Sequence, residues 1–160
     1  MKIGLISDTH IFDNGKLPIQ VIDSLCDVDL IFHAGDIFIS SVLDELEDIA
    51  PVFAARGNGN RDPEKDPRVK NRHIINIEGM CIGLIHNLGV PWLTIGRIFD
   101  SNVDIVVFGD THIATVGDYK GTMLINPGSP TFPGYGKRQP GTVAILEIIR
   151  RKAEVNIIQL

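Results

Sequence analysis

Cysteine, tryptophan and positive charge are scarce in this 160-residue sequence, and so are long apolar runs. The two cysteines, Cys26 and Cys81, have no second Cys or His at metal-ligand spacing, which argues against a disulfide scaffold or a zinc module. Each sits inside an apolar run, so two buried thiols are expected. Lys and Arg number 15 against 20 Asp and Glu, a formal net charge of −5 that argues against a general nucleic-acid surface. A small phosphorylated substrate is still compatible, because bound cations can reverse the local field. The apolar runs stay well below the ~20 residues that span a bilayer, so no membrane association is expected. The opening MKIGLISDTH reaches Asp8 too soon for a signal-peptide core, which gives a cytoplasmic expectation.

What is present is ample apolar material, 44% of the chain, enough for one domain over residues 1–160 with a proper core. No repeat, low-complexity tract or linker interrupts it. Residues 2–7 (KIGLIS), 29–34 (DLIFHA) and 51–55 read as buried strands. Between them, Pro18 opens a helix with Ile19, Ile22 and Leu25 on one face. Ser40 and Ser41 cap another that runs through Asp48, with Val42, Leu43 and Leu46 inward. This β-α-β-α-β order implies a parallel sheet with right-handed crossovers. Residues 57–67 are polar and read as a loop. Further on, hairpins turn at Glu78-Gly79, at 119–121 and at Arg151-Lys152, a short helix spans 91–100, and 104–108 (DIVVF) is another buried strand. Two mixed sheets packed as a sandwich, with helices outside, accommodate both halves.

Polar residues cluster where the apolar strands end, and carboxyl ends of strands are where open α/β sheets build sites. The ends carry Asp8-Thr9-His10, Gly35-Asp36, Gly57-Asn58, His86 and Gly109-Asp110-Thr111-His112. In extended backbone, an Asp and a His separated by one residue face the same side and can close on one ion. The preceding glycines would permit tight turns that aim Asp36, Asn58 and Asp110 inward. Asp8, His10, Asp36, Asn58, His86, Asp110 and His112 suit borderline divalent ions such as Mn, Fe, Ni or Zn, and seven ligands fit two ions better than one. Singly, each motif is more often a helix cap or a chance pair; five in order, each at a strand end, are not. His33 and His73 have no motif partner and read as packed or surface histidines. Arg56 could contact a phosphate or pair with a loop carboxylate.

SDTH at 7–10, HAGD at 33–36, RGN at 56–58, His86 after an apolar run, and GDTH at 109–112 followed by NPGS at 126–129 resemble the calcineurin-like metallophosphoesterases. The small single-domain phosphodiesterase branch is the most similar. The resemblance spans nearly the whole chain and implies a four-layer fold of two sheets flanked by helices. It implies one metal held by Asp8, His10, Asp36 and His112, and a second held by Asn58, His86, the residue at 110 and Asp36 as the bridge. Two divalent ions, manganese first among them, would support hydrolysis of a phosphodiester by a bridging hydroxide. Relatives often form homo-oligomers.

Three positions depart from the family pattern. Asp110 stands where the family usually has His. Gly59 and Asn60 stand where Cys or His, then Asp, are common; in larger relatives that His is the general acid, so Gly59 leaves the role without a side chain. Asn87 replaces a Gly after His86. These departures favour a rival reading, a binding or scaffold module like the retromer subunit of endosomal sorting. The six retained ligands favour the enzyme.

Overall fold

In the computed structural model, the structure describes residues 1–58, 63, 65–89, 98–99, 102–136 and 139–160. Two mixed sheets lie face to face. The first joins β1 (Lys2–Ile6), β2 (Leu30–His33), β3 (Val52–Ala55) and β4 (Val69–Lys70) in parallel. β1 also pairs antiparallel with β10 (Thr142–Ile149), which carries β11 (Lys152–Gln159) outside it. The second sheet runs β5 (Arg72–Ile77), β6 (Met80–Ile85), β7 (Ile105–Val107), β9 (Thr122–Asn126), β8 (Thr115–Tyr119). Its middle strands β6, β7 and β9 are parallel and its edges are hairpins.

Period-2 alternation builds the layers, because successive strand side chains point to opposite faces. Ile3 and Leu5 of β1, Leu30 and Phe32 of β2, and Ala144, Leu146 and Ile148 of β10 meet Ile82, Leu84, Ile105 and Val107 of the second sheet. On the other face of the first sheet, Ile6, Ile31, Ala54 and Val143 pack against Val21 and Leu25 of α1 (Ile19–Leu25) and Val42, Leu43 and Leu46 of α2 (Ser40–Glu47). Outside the second sheet, Phe99 and Val103 cover Val106 and Leu124. Two sheets with helices outside is the architecture expected from the sequence. Among the described residues no helix is long and apolar enough to cross a membrane.

Several local expectations need correction. The helix after Pro18 turns Leu25 and, in part, Ile22 inward as expected, but Val21 is the third buried position and Ile19 is exposed, a modest rotation of the inward stripe. No serine caps α2; Ile39 is its N-cap and Ser40 is already helical. The last hairpin turns at Arg150-Arg151, both left-handed, and Lys152 pairs with Ile149. Neither thiol is buried: Cys26 is exposed at the C-terminal end of α1, and Cys81 is half-buried on the outer face of β6. The short β4 was not anticipated, since its two residues follow a polar loop. Of the helix expected over 91–100, residues 98–99 are helical and the rest lies outside the described residues.

Candidate metal centre

The loops after β1, β2 and β3 leave the first sheet on the same edge as the loops after β6 and β7 leave the second. Backbone bonds stitch them together: Asp8 N donates to the Gly35 carbonyl at 2.9 Å, His10 N to the Asp36 carbonyl at 3.0 Å, and Gly109 N to the His86 carbonyl at 2.9 Å. Residues distant in sequence are thereby brought to one place.

The Asp-x-His pairs do not adopt the extended conformation expected for them. Asp8 and His10 have φ of 54° and 46°, Asp110 and His112 of 69° and 56°, and Asp36 of 57°. Left-handed backbone is uncommon for non-glycine residues and costs about 1–2 kcal/mol each, although Asp and His tolerate it better than most. It survives where the surroundings over-determine it, typically at functional sites. Both Asp-Thr-His triplets therefore curl in the same way, each presenting its carboxylate and imidazole from the inside of a tight turn. The glycines also act differently from expectation. Only Gly35, at φ 98°, makes a left-handed turn; Gly57 and Gly109 are needed for close approach, because a Cβ on Gly57 would run into the Asp36 carboxylate and one on Gly109 into Ser7 and Asp8.

Asp8, His10, Asp36 and His112 each offer a ligand atom, all within 4.8 Å of one another. His10 Nε2 lies 3.4 Å from Asp36 Oδ2, and His112 Nε2 lies 3.6 Å from Asp8 Oδ1. The two Nε2 atoms are 3.1 Å apart. His112 Nδ1 meets the Phe132 carbonyl at 2.8 Å and His86 Nδ1 the Ala34 carbonyl at 2.7 Å. A carbonyl only accepts, so both imidazoles carry their proton on Nδ1 and turn a bare Nε2 lone pair into the site. That is the arrangement a metal-ligating histidine needs.

The other group is a chain of pairs. His86 Nε2 stands 3.5 Å from Asp36 Oδ1 and 3.6 Å from Asp110 Oδ1. Asn58 donates its backbone N–H to Asp36 Oδ1 at 2.8 Å and its side-chain amide to Asp110 Oδ1. Asn87 donates to Asp110 Oδ2 at 2.9 Å. Two positions at which the sequence departs from the family pattern, Asn87 and Asp110, are thus in direct contact. Asp36 faces both groups, one oxygen toward each. The seven sequence-predicted residues are therefore all brought together, with Asn58 and Asp110 at the solvent side. Arg56 directly follows β3, two residues before Asn58, and is half-buried. Gly59 and Asn60 lie outside the described residues.

Electrostatics favour a cation. Asp8 is fully buried, and that burial pushes its carboxyl up to about 6 against the opposing pull of Ser7, His86 and His112. Asp8 Oδ2 and His86 Nε2 are buried without a hydrogen-bond partner. Orphaned acceptors of this kind are costly in a dry interior. Divalent ions would satisfy them, and carboxylates with neutral imidazoles are the right donors for a borderline metal. The residues fit the group.

Supporting residues escaped sequence reasoning. Gly35 N donates to His33 Nδ1 at 3.1 Å, so His33 keeps its proton on Nε2, which lies 3.2 Å from the Thr9 hydroxyl. That hydroxyl in turn donates to the Asp36 carbonyl at 3.3 Å, so His33 is a buried brace between the first two loops. His73 is also buried, against the Ala54 carbonyl at 2.8 Å. Ser129 donates to the Asp8 carbonyl at 2.7 Å and Asn126 to the Gly109 carbonyl at 2.8 Å, which explains NPGS as a clamp on both Asp-Thr-His turns. The available signal for these residues was the motif itself; their partners lie 17 to 121 residues away.

The family model for the calcineurin-like phosphoesterase superfamily domain matches residues 1–151. The chain belongs to this family. Calcineurin-like relatives include a "Probable metallophosphoesterase" from Methanocaldococcus jannaschii, 38% identical over 83% of this chain and 70% of that protein. Another, from Methanothermobacter thermautotrophicus, is 35% identical over 99% of this chain and 92% of its own length. Among solved structures, Vps29 complexed with zinc from Entamoeba histolytica superposes with a TM-score of 0.75 at 21% identity, covering 99% of each chain. A structure described as a novel archaeal phosphodiesterase gives 0.70 at 23%, over 99% of this chain and all of that one. These two likenesses establish the fold. Family membership supports a hydrolase of phosphate esters with a metal-binding cluster.

Proposed function

We propose that the chain is a phosphodiesterase that uses two divalent ions, manganese first among them with Ni, Fe or Zn as alternatives, on a small phosphorylated substrate. The observation that carries the reading is the convergence of Asp8, His10, Asp36 and His112 beside the orphaned Nε2 of His86. Bound divalent ions supply charge neutralisation of the phosphoryl group and a water acidic enough to react near neutral pH. Asp8, His10 and His112 would hold one ion, His86, Asn58 and Asp110 the other, and Asp36 would reach both. For Asn58 this requires its amide oxygen to face the ion, a half-turn from the orientation that donates to Asp110. The Nδ1–H bonds of His86 and His112 fix their rings so that no reorientation is needed on loading. Two free cysteines and the acidic balance support a cytoplasmic setting without a nucleic-acid or membrane partner.

Gly59 offers no group to protonate a leaving alkoxide. General acid catalysis is typically worth ~10²–10⁴-fold, so activated aryl esters should be cleaved faster than alkyl diesters by a factor in that range. The test is turnover of bis(p-nitrophenyl) phosphate by chelator-treated protein with and without Mn²⁺. Metal-dependent turnover supports the reading; no turnover with Mn, Ni, Fe or Zn rejects it. In that case Asp110 and Gly59 favour the second reading, a binding or scaffold module on the same fold.

A further inference from the structure

Three exposed aromatic residues, Phe12 at 52%, Phe132 at 43% and Tyr135 at 61% exposure, lie around the metal cluster. They form a connected series of rings. Phe12 lies 4.7 Å from Phe38, and Phe38 stands edge-on to the His10 imidazole at 4.8 Å between centroids. Phe132 touches both imidazoles, at 6.0 Å from His10 and 5.6 Å from His112. Tyr135 stacks on His112 at 4.4 Å and 22°.

Large exposed apolar rings cost hydration free energy and need a reason where several occur together. Backbone geometry shows that these are held in place. Phe38 and Tyr135 are left-handed at φ 74° and 59°, a conformation bulky residues rarely adopt. The Tyr135 hydroxyl donates to the Asp110 carbonyl at 2.6 Å, and Phe132 sits between the Ser129 hydroxyl, which receives its N–H, and His112, which bonds its carbonyl. The rings are anchored by the loops that carry the candidate ligands.

We infer that this aromatic collar is a substrate subsite for a flat aromatic substituent, an aryl or nucleobase group, carried by the phosphodiester. The inference rests on the phosphodiesterase reading for the position of the phosphate. A cation site alone would bind any phosphate equally; the collar supplies the other half of a ligand whose anionic group meets the metals while its ring stacks beside them. Stacking on exposed aromatic side chains is worth roughly tenfold or more in affinity and tolerates different ring systems. For an aryl ester, the ring held by the collar can also be the good leaving group that Gly59 favours.

The experiment is titration calorimetry of the Mn²⁺-loaded protein with diphenyl phosphate and with diethyl phosphate, for the wild type, Phe12→Ala and Phe132→Leu. Metal content of each variant is measured alongside to confirm an intact centre. The wild type should bind the diphenyl ester at least about tenfold tighter, and the ratio should fall toward unity in the variants at full metal content. Equal affinities in the wild type, no binding of either ester, or an unchanged ratio in both variants overturns the subsite. Self-association by sedimentation that is lost in Phe12→Ala would do the same, by showing a second copy on the collar. An aryl preference without turnover of bis(p-nitrophenyl) phosphate rejects hydrolysis while leaving the subsite standing; turnover without the preference does the reverse.

Discussion

The two halves of the candidate metal centre are built on different terms. Asp8, Asp36 and His112 are buried, with His10 at the edge, and their ligand atoms crowd together. Asn58 and Asp110 lie toward solvent, and Asp110 is already engaged on both oxygens by the amides of Asn58 and Asn87. In the first half, the orphaned Asp8 Oδ2 favours a cation, as His86 Nε2 does at the border with the second. In the second, amide donors already hold the Asp110 carboxylate, so a metal there would have to displace existing hydrogen bonds. Asn87 is thus a local partner that holds the Asp110 carboxylate by a hydrogen bond. The first half is expected to bind more tightly, because less is given up on loading.

The sharpest way to break this comparison is to remove the shared carboxylate. Asp36→Asn should lower bis(p-nitrophenyl) phosphate turnover by about 10²–10³-fold or more and reduce metal content at both positions, whereas Asp110→Asn should spare the first. Equal loss of metal in the two variants would show that the halves are not separable. A smaller effect is expected from Gly57→Ala, whose new methyl group would run into both the carboxylate and the backbone of Asp36. Metal affinity should fall about 10–100-fold, as for other disturbances just outside a ligand shell, with a stability cost of about 1–3 kcal/mol from overpacking. Unchanged metal titration in this variant would mean that Asp36 is not held by close packing.

The smallest effect is a pH dependence confined to the buried half. Asp8 has a folded-state carboxyl raised to about 6, above its unfolded value near 4. Between these values the folded state holds the proton and the unfolded state does not. Stability of the chelator-treated protein should therefore fall as pH rises from about 4 through about 6, by on the order of 1–3 kcal/mol. Metal and proton compete for the same oxygen, so metal affinity should rise over that window. Melting curves and metal titrations at pH 5 and 7 check both directions; greater stability of the metal-free protein at pH 7 would contradict the assignment. Asp8→Asn should flatten the melting response.

The layers were legible because strands and helices write their burial into the chain at fixed periods. KIGLI and LIFH are short apolar runs bounded by polar residues, and they became β1 and β2. The site residues were legible for a related reason: polar groups directly after such runs must lie at one edge of a parallel sheet. Less was legible where a single residue decides. Ile19 and Val21 are equally apolar, and only the docking of α1 on Ile6 and Ile31 chose between them. Cys26 and Cys81 sit in apolar runs, yet the face each occupies was set by packing.

The sequence by itself determined the ligand types, their order and the strand ends that carry them, because these follow from residue chemistry and local periodicity. Tertiary structure alone decided the left-handed turns that aim Asp8, His10, Asp110 and His112, since each depends on hydrogen bonds from a loop distant in sequence. It alone also decided that Asn87 meets Asp110 and that Phe12, Phe132 and Tyr135 surround the same centre. Contacts between residues so far apart in the chain exist only once two sheets have packed and brought their loops to one edge.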